Sequence, residues 1–383
     1  MIHKKRIVYL AGFVFALSIA LMSYINSSFI SSFIDEKLVG LVYALGSIAS
    51  VIALLIVPEI FRKIGGYKFL LSVIGLNALA ILLFAFSQNA WSAIVVFIAN
   101  YTLNILIFFS LDELLEIFSK NSSTGKTRGS YLTLSSLAWI IAQLGLGTIL
   151  GGFSFRMIYL SSFVIMLCLF AISYFGLNHI PEPKYDRINT RKYIGEFLKN
   201  RNLFRAFSMN LLLQFFYCWM IIYTPIYLSS YLGFSWKEIG LTFAVMLLPF
   251  IIIPFRMGKY ADKVGERKML MWGFGIASIS TLSLFYIHSN EIWIWAMLLF
   301  TTRIGAASIE VMNDIYFFKH IRPENEEFVG VYRSAPPVAY ILGPLLAFVV
   351  FNFVPSFNFI YPILGTFMMF GVYLSSTIQK SDI

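Results

Sequence analysis

Long apolar runs recur from one end of this chain to the other, and each approaches the roughly 20 residues that a helix needs to cross a bilayer. Within the hydrocarbon a backbone must satisfy its own hydrogen bonds, so such runs build helices. Windows of this length give twelve expected spans, at residues 7–28, 37–58, 68–87, 91–112, 129–151, 157–177, 204–231, 237–256, 269–287, 292–316, 328–350 and 357–378. Charge is too scarce to coat a soluble surface: 13% of 383 residues are charged, against about 25% in soluble domains. The expected fold class is an all-α polytopic membrane protein.

The basic residues orient it. With the N-terminus in the cytoplasm, alternate segments hold nearly all of the 29 Lys and Arg residues. The opposite side holds only Lys37, Arg156 and Lys237, while Arg303 and Arg333 fall inside spans. This asymmetry calls for an even number of spans with both termini cytoplasmic. The net charge of +10 is then a topology signal and an attraction to anionic lipid. With no basic soluble domain, it implies no nucleic-acid partner. "MIHKKR" and the apolar run after it resemble a signal peptide, but the run exceeds the roughly 7–15 residues of such a core and reads as a retained first span. Cys168 and Cys218 both lie within spans, and the four histidines scatter to segment ends. No disulfide framework, metal site or cofactor is expected.

The sequence repeats itself. "FISSFI" (29–34) returns as "YLSSYL" (227–232), and Gly40, Ala44, Lys63, Gly65, Lys68 and Gly75 have counterparts 200 residues on. "GSYLTLSSLAWI" (129–140) matches "GVYRSAPPVAYI" (330–341), and "SLDELLEIF" (110–118) matches "SIEVMNDIY" (308–316). Six spans separate the copies, so the halves share one orientation, a parallel repeat about an axis along the membrane normal. The expected domains are an N-terminal six-helix bundle over 1–177, a linker over 178–203 and a C-terminal bundle over 204–383. The linker reads as a tether whose "TRKYIGEFLKNR" could form a basic amphipathic helix.

Span ten carries the most unusual charges. Arg303, Glu310 and Asp314 are spaced by seven and four residues, which places them on one helical stripe, with Arg303 roughly 18 Å in from the outer end. A mid-membrane arginine implies a wet cavity, a carboxylate or an anionic substrate, or else a fixed salt bridge. Glu310 and Asp314 have echoes in Asp112 and Glu116, and that symmetry favours gate salt bridges over a proton site. Glu310, the deepest of the set, is the better proton candidate within it. Arg303 has no echo, since Ile105 stands at the matching place. Further substrate candidates are Asn26, Trp139, Gln143, Gln214 and Tyr217. Trp293 and Trp295 read as interfacial anchors.

At this point the chain resembles the major facilitator superfamily of transporters. Its clearest residues are "GKYADKVGERK" (258–268), similar to the family's cytoplasmic loop pattern, with Gly258, Asp262, Lys263, Gly265, Arg267 and Lys268 fitting and Glu266 as one extra residue in the basic run. The copy at 58–68 is degenerate, with Arg62 where Asp262 stands. "RIGAAS" (303–308) loosely resembles the family's fourth-span arginine pattern, here in span ten. The resemblance implies the two-bundle fold and alternating access. Gly258, Asp262, Gly265, Arg267 and Lys268, with Glu116, Arg128 and Arg333, then form a cytoplasmic gate.

The expected function is secondary active transport of a small molecule, proton-coupled in preference to uniport, by a monomer in a bacterial-type plasma membrane. No phosphate-binding loop of the G-x-x-x-x-G-K-[ST] type is present, so ATP is not the expected energy source. A membrane enzyme needs an interfacial cluster of His, Asp or Glu, which the scattered histidines do not offer. A non-transporting sensor or scaffold on the same fold is the remaining class.

Overall fold

Capping residues and prolines set the helix limits. Asp35 opens one long helix by accepting a hydrogen bond from the Lys37 amide at 2.9 Å, and Asn200 opens another by accepting from the amides of Asn202 and Leu203. Prolines break helices where apolar composition alone reads on, because proline lacks an N–H and disfavours helix in the residue before it. The computed structural model describes residues 2–117, 124–150, 154–178, 190–321 and 327–378. Its helices are α1 (Ile2–Ser23), α2 (Asn26–Ser31), α3 (Glu36–Ile64), α4 (Gly66–Ala85), α5 (Ala90–Ile117), α6 (Thr124–Leu150), α7 (Phe155–Gly176) and α8 (Thr190–Lys199). They continue as α9 (Arg201–Ile226), α10 (Trp236–Leu247), α11 (Pro249–Val264), α12 (Glu266–Leu284), α13 (Ile292–His320), α14 (Glu327–Tyr332), α15 (Ala335–Phe351) and α16 (Ile360–Ser376).

Among the described residues, 11 helical segments are long and apolar enough to cross a membrane. The remaining expected span, 269–287, falls on α12, whose first turn begins with Glu266, Arg267 and Lys268 and so lowers its apolar character. The protein is a multi-pass membrane protein. The expected span 237–256 is broken before Pro249 into α10 and α11, and the span 328–350 is broken before Pro336 and Pro337 into α14 and α15. Past Pro225 the end of α9 widens into a π-helical turn, Tyr227–Tyr231.

The repeat is visible in the backbone. Gly65 opens α4 at φ 81°, ψ 152°, and Gly265 opens α12 at φ 82°, ψ 147°. This region of dihedral space is essentially reserved for glycine. The same turn is therefore made twice, 200 residues apart.

The chain forms two compact units. The first comprises residues 1–187 together with 235–244. Here α1 packs on α6 and α7, and α4 lies against α5 and α7. Ser18 of α1 and Ser162 of α7 share a hydrogen bond of 2.7 Å between their hydroxyls. A Cβ placed on Gly240 would lie 2.6 Å from the Gln143 carbonyl oxygen and 2.8 Å from the Gly147 amide nitrogen, so α10 touches α6 backbone to backbone. Close approach through small residues is how helices associate where lipid removes any hydrophobic drive.

The second unit comprises 188–234 and 245–383. In it α12 packs on α13 and α16, and α9 on α15, α13 and α16. A Cβ on Gly305 would sit 2.5 Å from the Gly273 carbonyl oxygen, so α12 and α13 meet there backbone to backbone. The linker helix α8 docks in this unit through Phe197, which is fully buried near Phe207, Phe317 and Phe328.

Candidate functional site

The side chains of α13 face two environments. Arg303 is 1% exposed, while Glu310 and Asp314, one turn apart, are exposed. The three therefore do not share one wet face. Arg303 points under two rings of α9, its guanidinium carbon 5.0 Å from the Phe216 centroid and 5.3 Å from that of Tyr217. Its Nε and Nη1 are buried and have no hydrogen-bond partner. Glu310 accepts a hydrogen bond from the Tyr217 hydroxyl at 2.8 Å. Tyr217 thus lies against the arginine with its ring and engages the carboxylate with its tip.

Magnitudes define what this arrangement lacks. An arginine at mid-span costs about 2.5–3.5 kcal/mol to insert. Each ring face returns about 0.5–2 kcal/mol. The rings can therefore offset most of the charge, but they supply no acceptor for the N–H groups. A buried donor left unmet costs about 1–3 kcal/mol.

Asp314 belongs to a neighbouring network. The Tyr332 hydroxyl donates to Asp314 Oδ1 at 2.7 Å and accepts from Asn313 Nδ2 at 3.0 Å. Asn313 Nδ2 also donates to the Ala206 carbonyl of α9 at 2.9 Å. The Tyr332 ring stacks on Phe317 with centroids 4.0 Å apart. Gln214 Nε2 donates to Asn210 Oδ1 at 3.4 Å, and Asn210 Nδ2 donates to the Tyr332 carbonyl at 3.4 Å. α9, α13 and the α14 end are thus tied by polar side chains around Asp314.

The remaining substrate candidates lie in the first unit. Asn26 Oδ1 accepts from the Tyr159 hydroxyl at 3.1 Å, and Gln143 Nε2 donates to the Ala20 carbonyl at 2.9 Å. Trp139 meets Tyr24 edge to face at 6.0 Å. Gln143 is fully buried and its Oε1 has no partner. Asn77, Asn100 and Asn104 close a ring of three amides in which Asn77 donates to Asn104, Asn104 to Asn100 and Asn100 to Asn77, at 2.8, 3.2 and 2.7 Å.

Of the expected gate residues, Gly258 and Asp262 fall on α11 and Arg128 on α6, with surroundings outside the described residues. Gly265 makes the positive-φ turn, Arg267 is half-buried, and Lys268 and Arg333 are exposed. On α5, Asp112 is half-buried and Glu116 exposed. The sequence alone assigns no role to Glu266, the extra residue in the basic run. Glu266 is buried and forms an ion pair with Lys319 at the end of α13. An acidic residue interrupting a basic run was the available signal, but its partner lies 53 positions away. Trp293 is exposed, as an anchor requires, whereas Trp295 is buried and donates to the Ser289 carbonyl at 3.0 Å. No group of three or more His, Cys, Asp or Glu side chains that could hold a metal occurs among the described residues.

A family model described as the Major Facilitator Superfamily matches residues 8–344 and, again, 222–379. An uncharacterized MFS-type transporter, YxiO, of Bacillus subtilis (strain 168) is 31% identical over 176 residues, a stretch that spans 44% of this chain and 40% of that relative. Among solved structures, the nucleoside transporter NupG superposes with a TM-score of 0.78 at 13% identity, covering 97% of this chain and 98% of the other. A bacterial homolog of the human lysosomal transporter Spinster, inward-facing and unoccupied, gives 0.72 at 12% identity, with 97% and 92% covered. An auto-inhibited POT family peptide transporter gives 0.74 at 10% identity, with 97% and 96% covered.

Proposed function

The chain is a member of the major facilitator superfamily, and on that premise we propose that it is a secondary transporter moving a small molecule across the membrane by alternating access. Its moving parts are two six-helix bundles, 1–177 and 204–383, rocking about a mid-membrane site. In this reading both termini lie in the cytoplasm of a cell bounded by a bacterial-type plasma membrane, and the basic loops support that orientation. The solved relatives share its fold at 10–13% identity, so their substrates are not carried over.

One observation carries the reading. α13 places a buried cation and an exposed carboxylate within reach of one tyrosine of α9. Ionisable groups at this depth are costly, and they mark substrate and proton paths. Glu310 is the proton-coupling group in this proposal. The Glu266–Lys319 pair, with Asp112, Glu116 and the basic loop residues, belongs to the cytoplasmic gate.

The test is substrate-dependent proton movement in proteoliposomes, wild type against Glu310→Gln. Wild-type flux should be lost in the variant while substrate exchange persists. Equal proton flux in both would sink Glu310 as the coupling site. Substrate movement with no proton movement in either would favour a uniporter.

A further inference from the structure

We propose that Arg303 is the binding group for the oxyanion of a small organic anion, a carboxylate in the first instance, and that Tyr217 is a cap over it held down by Glu310. The proposal deepens the transporter reading and rests on it for the claim that the anion is carried as well as bound.

A guanidinium carries five N–H donors in a planar fork and grips a planar oxyanion by either of two edges. Nε belongs to one of those edges and Nη1 to the other, and both atoms are buried without a partner. A structural arginine in a protein interior normally has these donors filled, because an uncompensated buried charge is the most destabilising form of one. The chain has a carboxylate available two turns along α13, yet Glu310 bonds to Tyr217. The internal acid is held off the cation, and the donors stay open for an acid from elsewhere.

The surrounding groups fit an organic anion better than a bare inorganic ion. Phe216 and Tyr217 offer ring faces beside the guanidinium, and Phe250 of α11 meets the Tyr217 ring at 6.0 Å. These surfaces suit the hydrocarbon part of a ligand while the fork takes its charged end. Access is the remaining requirement. Arg303 is 1% exposed, Tyr217 half-buried and Glu310 exposed, so the tyrosine covers the cation and its hydroxyl is secured at the open side. Turning that ring aside from the fork requires release of the Glu310 hydrogen bond.

The experiment is a thermal-shift titration of the purified full chain in detergent. The probes are sodium salts of mono- and dicarboxylates of graded length and the matching uncharged amides, at constant ionic strength. A ligand that binds only the folded state raises the unfolding temperature with concentration. At least one carboxylate should do so, and its amide should not. Arg303→Gln should weaken that carboxylate by about tenfold to a hundredfold, the worth of hydrogen bonds to a charged group, and Arg303→Lys should restore part of the loss. Tyr217→Phe keeps the ring and removes the latch, so the same carboxylate should raise its unfolding temperature at lower concentrations than it does for wild type. That variant keeps the proposal testable should Arg303→Gln fail to fold. A panel in which no carboxylate shifts wild type would overturn the proposal, as would a carboxylate shift that persists in Arg303→Gln. Carboxylate binding without proton-linked transport would leave the anion site standing and remove the coupling reading. Proton-linked transport of an uncharged substrate by a protein blind to every carboxylate would do the reverse.

Discussion

The ion pair between Glu266 and Lys319 gives a prediction whose size follows from where its partners sit. The side chain of Glu266 is 2% exposed and that of Lys319 is 48% exposed. Removing one partner of a fully buried pair costs about 3–5 kcal/mol, because the other is left charged and unsatisfied. A surface pair is worth about 0–1 kcal/mol. Here the half that stays behind depends on which half is cut. Lys319→Met strands a carboxylate almost entirely out of water and should cost about 2–3 kcal/mol, below the fully buried limit because water already reaches the lysine end. Glu266→Gln leaves a half-exposed ammonium free to solvate and should cost about 1 kcal/mol. The double variant holds no stranded charge and should be more stable than Lys319→Met alone, with a coupling of about 1–2 kcal/mol between the sites. Equilibrium unfolding of the four proteins in mixed micelles, read by tryptophan fluorescence, closes the cycle. Additive costs would refute the reasoning, as would a Lys319→Met variant within about 0.5 kcal/mol of wild type.

Two further predictions concern backbone geometry. Gly65→Ala and Gly265→Ala should each cost about 1–3 kcal/mol, and nearly the same amount as each other, since the two turns share their dihedrals within a few degrees; unequal costs measured by the same unfolding assay would show that the shared turn is not what these glycines provide. Gly305→Ala drives a methyl group onto the Gly273 carbonyl and Ala277, where the nearest atoms are backbone and cannot swing away, so it should cost about 1–3 kcal/mol by overpacking, and unchanged thermal stability would count against the tight α12–α13 contact.

Much of the fold was legible because it is written in local terms. Apolar length marks the helices, and Gly65 and Gly265, 200 positions apart, mark the repeat. The interruptions were less legible. Pro249 and the pair Pro336 and Pro337 divide expected spans because a proline acts on one peptide bond, whereas a hydropathy window averages over many residues and hides it. The site was legible in composition and illegible in arrangement. Arg303 stood out through having no echo in the first half. Its burial under Phe216 and Tyr217 did not, because the rings belong to another helix some 90 positions earlier, and no period along the chain encodes which faces meet. The same holds for the partner of Glu310: it shares the Arg303 stripe, as its spacing along α13 requires, but the Tyr217 hydroxyl it engages lies 93 positions earlier on α9. Glu266 was visible as an irregularity and Lys319 as an ordinary terminal base; only the packing of α12 on α13 makes them a pair.

The place of residues 235–244 has a consequence for how this protein is made. They group with the first unit, although 188–234 group with the second. A ribosome delivers residues in order, so the seat on α6 beside Gly147 stays vacant while the linker and all of α9 are produced. From residue 177 to residue 244 is 68 residues, an interval of about 3–14 s at roughly 5–20 residues per second. During that time the stretch of α6 at Gln143 and Gly147 lacks the α10 backbone that meets it at Gly240. The first compact unit is complete only once residues 235–244 are made, after the linker and all of α9, and a gene split at the linker would yield an N-terminal product lacking that segment.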